Sequence, residues 1–206
     1  MTAAEAGADA VGFLFAPSPR RIDPAAAAAI IRELPAGVLP VGVFADASAA
    51  EIARVRDASG IRAAQLHGCE VLELTAELTG LEVIRVCSMA TAASVLDMAA
   101  TVAPWAGRVR AFLLDAGQPG EGGTGRTFAW EAARLFAGYG PVIVAGGLTP
   151  DNVGAAIARA RAWGVDVSSG VEISPGIKDA RRVRQFIVAA RRAFQEFDTP
   201  PRGLAR

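Results

Sequence analysis

The sequence predicts an α/β fold, a (β/α)8 TIM barrel with seven recognisable strands and the first strand missing, and three observations carry that prediction. Short apolar runs alternate with helical segments along the whole chain. Several of the runs are apolar at consecutive positions, as in parallel strands covered on both faces. Polar and glycine-rich clusters follow the C-terminal end of one strand after another, which a closed barrel gathers on one face.

In chain order, residues 1–9 read as the tail of a helix stopped by Gly7. Strands are expected at Ala10–Phe15, Leu39–Ala45, Ala63–His67, Glu82–Cys87, Val109–Asp115, Pro141–Ala145 and Gly164–Ser168. Between them, Pro24–Leu34 opens with Asp23 as N-cap and Pro24 at the first helical position. Ser48–Ser59 opens with a capping box of Ser48 and Glu51. Further helices are expected at Val71–Thr79, Thr91–Ala103, Ala129–Ala137, Thr149–Arg161 and Asp179–Phe194. Strict alternation implies parallel strands joined by right-handed crossovers. An open doubly wound sheet is the alternative, but it would concentrate the polar clusters near one switch point. Residues 1–197 form one domain in this reading, and 198–206, with Pro200 and Pro201, read as a disordered tail.

Composition narrows the function. Of 206 residues, 52% are hydrophobic and 20% charged, enough for a core and unlike a disordered chain. Lys plus Arg and Asp plus Glu number 21 each, which argues against a nucleic-acid partner. No apolar run nears the roughly 20 residues of a membrane span, and the N-terminus lacks the features of a signal peptide. A soluble protein with two reduced thiols in the cytoplasm is expected. Two cysteines and a single histidine make no metal-binding pattern. Oligomeric state is not legible.

The most specific physical signal is a pair of glycine-rich turns near the C-terminus. Gly146 and Gly147 end one strand, and Ser168, Ser169 and Gly170 end the next. Glycines let backbone approach a ligand, amides at helix starts attract anions, and these two loops are the recurrent phosphate site of barrels. A small phosphorylated ligand follows. The loop Gly117–Thr127, with Gly122, Gly123, Thr124 and Gly125, has the composition of a lid. Asp115 ends the buried run Phe112–Leu114, where a carboxylate is costly without a task and an apolar setting suits a general acid. Arg20 ends the first strand region and offers a bidentate clamp for a carboxylate, and His67 ends the third strand.

These segments resemble phosphoribosylanthranilate isomerase. The likeness lies in Glu5–Phe13 followed by Ser18-Pro19-Arg20, in Val41–Phe44, and in Gln65-Leu66-His67-Gly68. It continues through Leu113–Asp115, Gly122–Phe128, Ala145–Leu148 and Val165–Glu172. The resemblance implies an Amadori rearrangement of N-(5′-phosphoribosyl)anthranilate in tryptophan biosynthesis, without metal or organic cofactor. It implies Asp115 as the acid, Arg20 on the anthranilate carboxylate, Gln65, His67 and Asp166 as substrate-binding, and the last two loops on phosphate. It also implies a base cysteine on a first strand that has no counterpart among these residues. Cys87 shares parity with Arg85, so both are candidates to point into the barrel mouth; Cys69 lies just past His67. The readings left open are a chain whose start lies upstream, a ligand-binding pseudoenzyme, and an enzyme with a substitute base or a strand lent by a partner.

Overall fold

Seven of the apolar runs become seven parallel strands, hydrogen-bonded in chain order, in a computed structural model that describes residues 1–68, 72–89, 95–117 and 127–196. Helix α1 (Thr2–Glu5) leads into β1 (Ala10–Leu14), then α2 (Pro24–Arg32), β2 (Leu39–Phe44), α3 (Ala49–Ser59) and β3 (Ala63–Leu66). There follow α4 (Leu74–Glu77), β4 (Glu82–Ser88), α5 (Val95–Val102), β5 (Ala111–Asp115), a 3-10 segment (Trp130–Phe136) and β6 (Val142–Val144). The chain continues through α6 (Val153–Ala160), β7 (Gly164–Val165), an antiparallel hairpin of β8 (Glu172–Ser174) and β9 (Ile177–Lys178), and α7 (Ala180–Glu196). The lid candidates Gly122, Gly123, Thr124 and Gly125, together with Cys69 and the 198–206 tail, lie outside the described residues.

Local chemistry explains the starts and stops. Asp23 accepts from the amides of Ala25 and Ala26 at the head of α2. Ser48 and Glu51 exchange hydrogen bonds as a capping box at the head of α3, and Gly60, at φ 81°, ends it in the left-handed conformation. Three expected helices differ, the first because the segment expected at Val71–Thr79 is helical only over Leu74–Glu77 among the described residues. The segment after β5 is a 3-10 helix because its buried residues, Trp130, Ala133 and Phe136, recur every three positions and align on one face only at three residues per turn. Helix α6 starts at Val153 and not at Thr149. Asn152 accepts from the Thr149 amide at 2.8 Å and donates to the Gly147 carbonyl at 2.9 Å, which spends those residues on a turn.

Alternation along the strands sorts their side chains into two layers. Inward-facing Val41, Ile84, Val86, Leu113, Ile143 and Ala145 form one cluster drawn from β2 to β6, the filling of a concave face. Outward-facing Phe112, Leu114 and Val144 pack with Phe136, Val153, Ile157 and Phe186 under the helices. Phe112, Phe136 and Leu114 are fully buried there.

Among the described residues β1 pairs with β2 alone and β7 with β6 alone. The concave face opens between them, and Gly12 and Asp166 are exposed. The sheet is curled enough to bring its two edges within reach of each other. Helix α1 packs against α7, and Arg191 of α7 donates to the Gly7 carbonyl and lies 3.9 Å from Asp9. At the opposite rim, Arg20 pairs with Glu172.

Ser48→Ala is expected to lower unfolding free energy by about 1 kcal/mol and Phe136→Ala by about 3–5 kcal/mol. Urea titration measures both; equal effects from the two would contradict the packing described.

Candidate functional site

The parity that buries Phe112 and Leu114 under the helices turns Asp115, the last residue of β5, toward the concave face. Its carboxylate is half-buried, and Oδ1 accepts from the Gly117 amide at 2.9 Å. Ser88, its register partner on β4, is buried and donates to the Gly117 carbonyl at 2.6 Å, while the Met89 amide donates to the Asp115 carbonyl at 2.8 Å. Both sides of the Asp115 peptide are thereby fixed.

Two glycines let the neighbouring loops close in. Gly146 has φ 82°, and a Cβ there would lie 2.5 Å from the Ala116 nitrogen and 2.7 Å from Asp115 Oδ1. A Cβ on Gly170 would lie 1.8 Å from the Leu148 carbonyl oxygen. The loop after β6 therefore lies against Asp115, and the loop after β7 lies backbone to backbone on the loop after β6. Together they wall a hollow lined by Asp115, Gly146, Gly147, Asp166, Ser168, Ser169 and Gly170. Its donors are mostly backbone amides, the arrangement that holds an oxyanion.

Asp166 carries the other carboxylate of the hollow. Its pKa is raised, first by the surrounding protein and second by the nearby Asp115 charge; Lys178 and the Val167 amide oppose the rise. Water reaches the side chain through the open mouth, which tempers the first cause.

Arg20 stands on the rim after β1. Its Nε lies 3.0 and 3.1 Å from the two oxygens of Glu172, and its Nη2 lies 2.8 Å from Oε2. The Glu172 side chain is 4% exposed. Lys178 Nζ is 3.0 Å from Glu172 Oε1 and 2.9 Å from the Ser168 carbonyl oxygen; the Gly176 amide also donates to Oε1. Burial pushes the Glu172 carboxyl up, but the bonds from Arg20 and Lys178, with the Lys178 charge and the Gly176 amide, outweigh it and hold the group down to about 2.

The structure thus brings Asp115, Asp166 and both glycine-rich loops around one hollow, and leaves Arg20, Gln65 and His67 outside its lining. Gln65 shares the inward parity of Ala63 on β3. His67 follows two residues later, and its Nε2 is buried with no hydrogen-bond partner among the described residues. Cys87 does not point into the mouth. The β4 alternation that turns Ile84 and Val86 inward sends Cys87 into the helix-facing layer with Trp105 and Phe112, where burial pushes its thiol up to about 12 against the pull of Arg85. Arg85 faces the same way, 4.7 Å from the Trp105 ring centroid. Among the described residues no group of three or more His, Cys, Asp or Glu could hold a metal ion, and no helix is long and apolar enough to cross a membrane.

Sequence reasoning passed over Glu172, Lys178, Ser88 and Asn152. One signal was available: Pro175-Gly176 between Ile173 and Ile177 marks a tight turn, and a hairpin there carries Glu172 and Lys178 on its two strands.

The family model described as N-(5′phosphoribosyl)anthranilate (PRA) isomerase matches residues 1–189. An N-(5′-phosphoribosyl)anthranilate isomerase of Pelobacter propionicus is 43% identical over 198 residues, covering 95% of this chain and 91% of that relative. Among solved structures, the phosphoribosyl anthranilate isomerase of Thermotoga maritima superimposes with a TM-score of 0.82 at 36% identity, covering 92% of this chain and 91% of its own. Another, in complex with reduced 1-(o-carboxyphenylamino)-1-deoxyribulose 5-phosphate, gives 0.78 at 34% identity, with 92% and 90% covered.

Gly170→Ala drives a methyl into the Leu148 carbonyl and is expected to part the two loops, weakening inorganic phosphate binding roughly tenfold or more by calorimetry. Glu172 gives a pH signature. Its folded value lies below the ordinary carboxylate value of 4.5, so its stabilisation is full above that value and is lost as pH falls toward 2. That loss is about 3 kcal/mol. Urea midpoints at pH 5, 3 and 2 should fall more steeply for the parent chain than for Glu172→Gln; parallel slopes would refute the assignment.

Proposed function

We propose a reaction from one premise: this chain belongs to the N-(5′-phosphoribosyl)anthranilate isomerase family. The reaction is the Amadori rearrangement of N-(5′-phosphoribosyl)anthranilate to 1-(2-carboxyphenylamino)-1-deoxyribulose 5-phosphate, an aldose–ketose isomerisation in tryptophan biosynthesis. The observation that carries the assignment of parts is the hollow where Asp115 meets both glycine-rich loops.

The substrate phosphate binds to the backbone amides of Gly146, Gly147, Ser169 and Gly170, with the Ser168 and Ser169 hydroxyls as further donors. Two left-handed glycines, at φ 82° and 61°, support this by baring the backbone of the first loop. Arg20 takes the anthranilate carboxylate. Gln65, His67 and Asp166 hold the rest of the substrate between these two anchors, and the buried Nε2 of His67, without a partner among the described residues, supports its place there. The segment with Gly122, Gly123, Thr124 and Gly125, outside the described residues, is the lid candidate by its composition.

Asp115 protonates the ribose ring oxygen as the bond from that oxygen to C1′ breaks. The C2′ proton then leaves to a general base, its electron pair forms the C1′–C2′ double bond of an enolamine, and tautomerisation gives the ketose. The resemblance assigns the base to a cysteine on a strand ahead of β1, and the outward setting of Cys87 makes it no substitute. No metal or organic cofactor enters this scheme. Ligand binding without turnover is the second reading, and no observation in the site favours it.

Turnover of freshly generated phosphoribosylanthranilate, followed by loss of its fluorescence, tests the assignment. Asp115→Asn should lower kcat by roughly 10²–10⁴-fold while affinity for the reduced product analogue stays within a few-fold. Full activity in that variant would remove Asp115 from the acid role. Analogue binding by the parent chain without turnover would favour the second reading.

A further inference from the structure

Arginine carries five N–H donors and can present a carboxylate with two different forks, Nε with one Nη along its side, or both Nη groups at its end. In this structure the side fork is taken. Arg20 Nε and Nη2 both bond Glu172, and among the described residues no other side chain accepts from Arg20. The end fork, made of Nη1 and the outer hydrogen of Nη2, remains for a ligand.

Glu172 is in turn fixed from the other side. Lys178 Nζ and the Gly176 amide hold Oε1, and the Arg182 guanidinium donates to the Glu172 carbonyl at 2.9 Å. Lys178 also bonds the Ser168 carbonyl, so an unbroken polar chain runs from the loop after β7, through Lys178 and Glu172, to Arg20 on the far side of the gap between β7 and β1. Arg20 stands on a loop of its own that no other described side chain ties to the loop after β7. A long flexible arginine there would sample many rotamers, and a buried carboxylate that is itself held by Lys178 and the Gly176 amide removes that freedom.

We propose that Glu172 is a positioning residue: it holds the Arg20 guanidinium by its side fork so that the end fork receives the substrate carboxylate at a fixed distance from the phosphate loops. The inference rests on Arg20 binding the anthranilate carboxylate, as proposed above. Glu172 touches no substrate atom in this scheme and acts through Arg20. It sets specificity for an aryl group bearing an ortho-carboxylate over one without it.

The test is calorimetric binding of two ligands to the full chain, the reduced product analogue with its o-carboxyl group and the same compound lacking that group. The parent chain should prefer the carboxylated compound, and Arg20→Ala should abolish the preference. Glu172→Gln should weaken the carboxylated compound roughly tenfold or more and leave the other within about twofold. The Arg20→Ala/Glu172→Gln double variant should bind no worse than Arg20→Ala, since a residue acting only through Arg20 has nothing left to orient. Glu172→Asp keeps the charge but shortens the arm, and it carries the same test if thermal melting shows Glu172→Gln unfolded. Equal losses for both ligands, no loss for either, or additive losses in the double variant would overturn the proposal. The underlying reading fails differently. If Arg20→Ala leaves the preference intact, Arg20 is not the carboxylate site, and if the parent chain binds neither compound, the substrate is wrong; the proposal falls with either.

Discussion

A β-strand shows its side chains alternately to its two faces, and in this sheet most strand residues from β2 to β6 pack into one of two apolar layers. That constraint decides where the chemistry can sit. It lets β5 run as Phe112-Leu113-Leu114 without a break, because the concave filling claims Leu113 while the helix layer claims its neighbours. It also forces the residue after Leu114 to face the concave side, and that residue is Asp115. A shift of one position would bury the carboxylate under the helices, where a charged group without a partner costs far more than the fold can bear.

The same alternation explains how much could be read from the sequence. Strand positions follow from apolar runs of strand length, the place of Asp115 follows from its position at the C-terminal end of one such run, and helix starts follow from local caps such as Asp23 and the Ser48–Glu51 pair. The close approach of the two glycine-rich loops was legible because closely approaching backbone demands glycine, and Gly146 and Gly170 are where a Cβ has no room. Contacts between parts distant in sequence were not legible. Arg20 and Glu172 are 152 residues apart, and no local pattern announces their pairing. Cys87 was misjudged because parity alone says which residues share a face without saying which face it is; only the partners of Cys87, chiefly Trp105 and Phe112, settle the matter. The 3-10 geometry after β5 came from spacing that a helical reading averages over.

Polar contacts do at the sheet's two edges what the apolar layers do elsewhere. Near one end, Arg191 reaches from α7 to the carbonyl of Gly7; at the other, Glu172 spans from the β8–β9 hairpin to Arg20. The two are not equivalent. Arg191 is 47% exposed, so water screens its pairing and its worth is small. Glu172 is buried and multiply bonded, so water screens it little, and its pairing both steadies the fold and joins the hairpin beside the hollow to the loop that carries Arg20.

The contact of Gly170 with the Leu148 carbonyl has a thermodynamic consequence. Two loops that touch through their main chains have no side chain between them to swing aside, so the ring of amides exists before any ligand arrives. An anion entering it has little chain entropy to quench and displaces mainly water from groups already aimed at it. On the reading proposed above, association should accordingly be fast, with its cost concentrated in stripping the anion of its hydration shell.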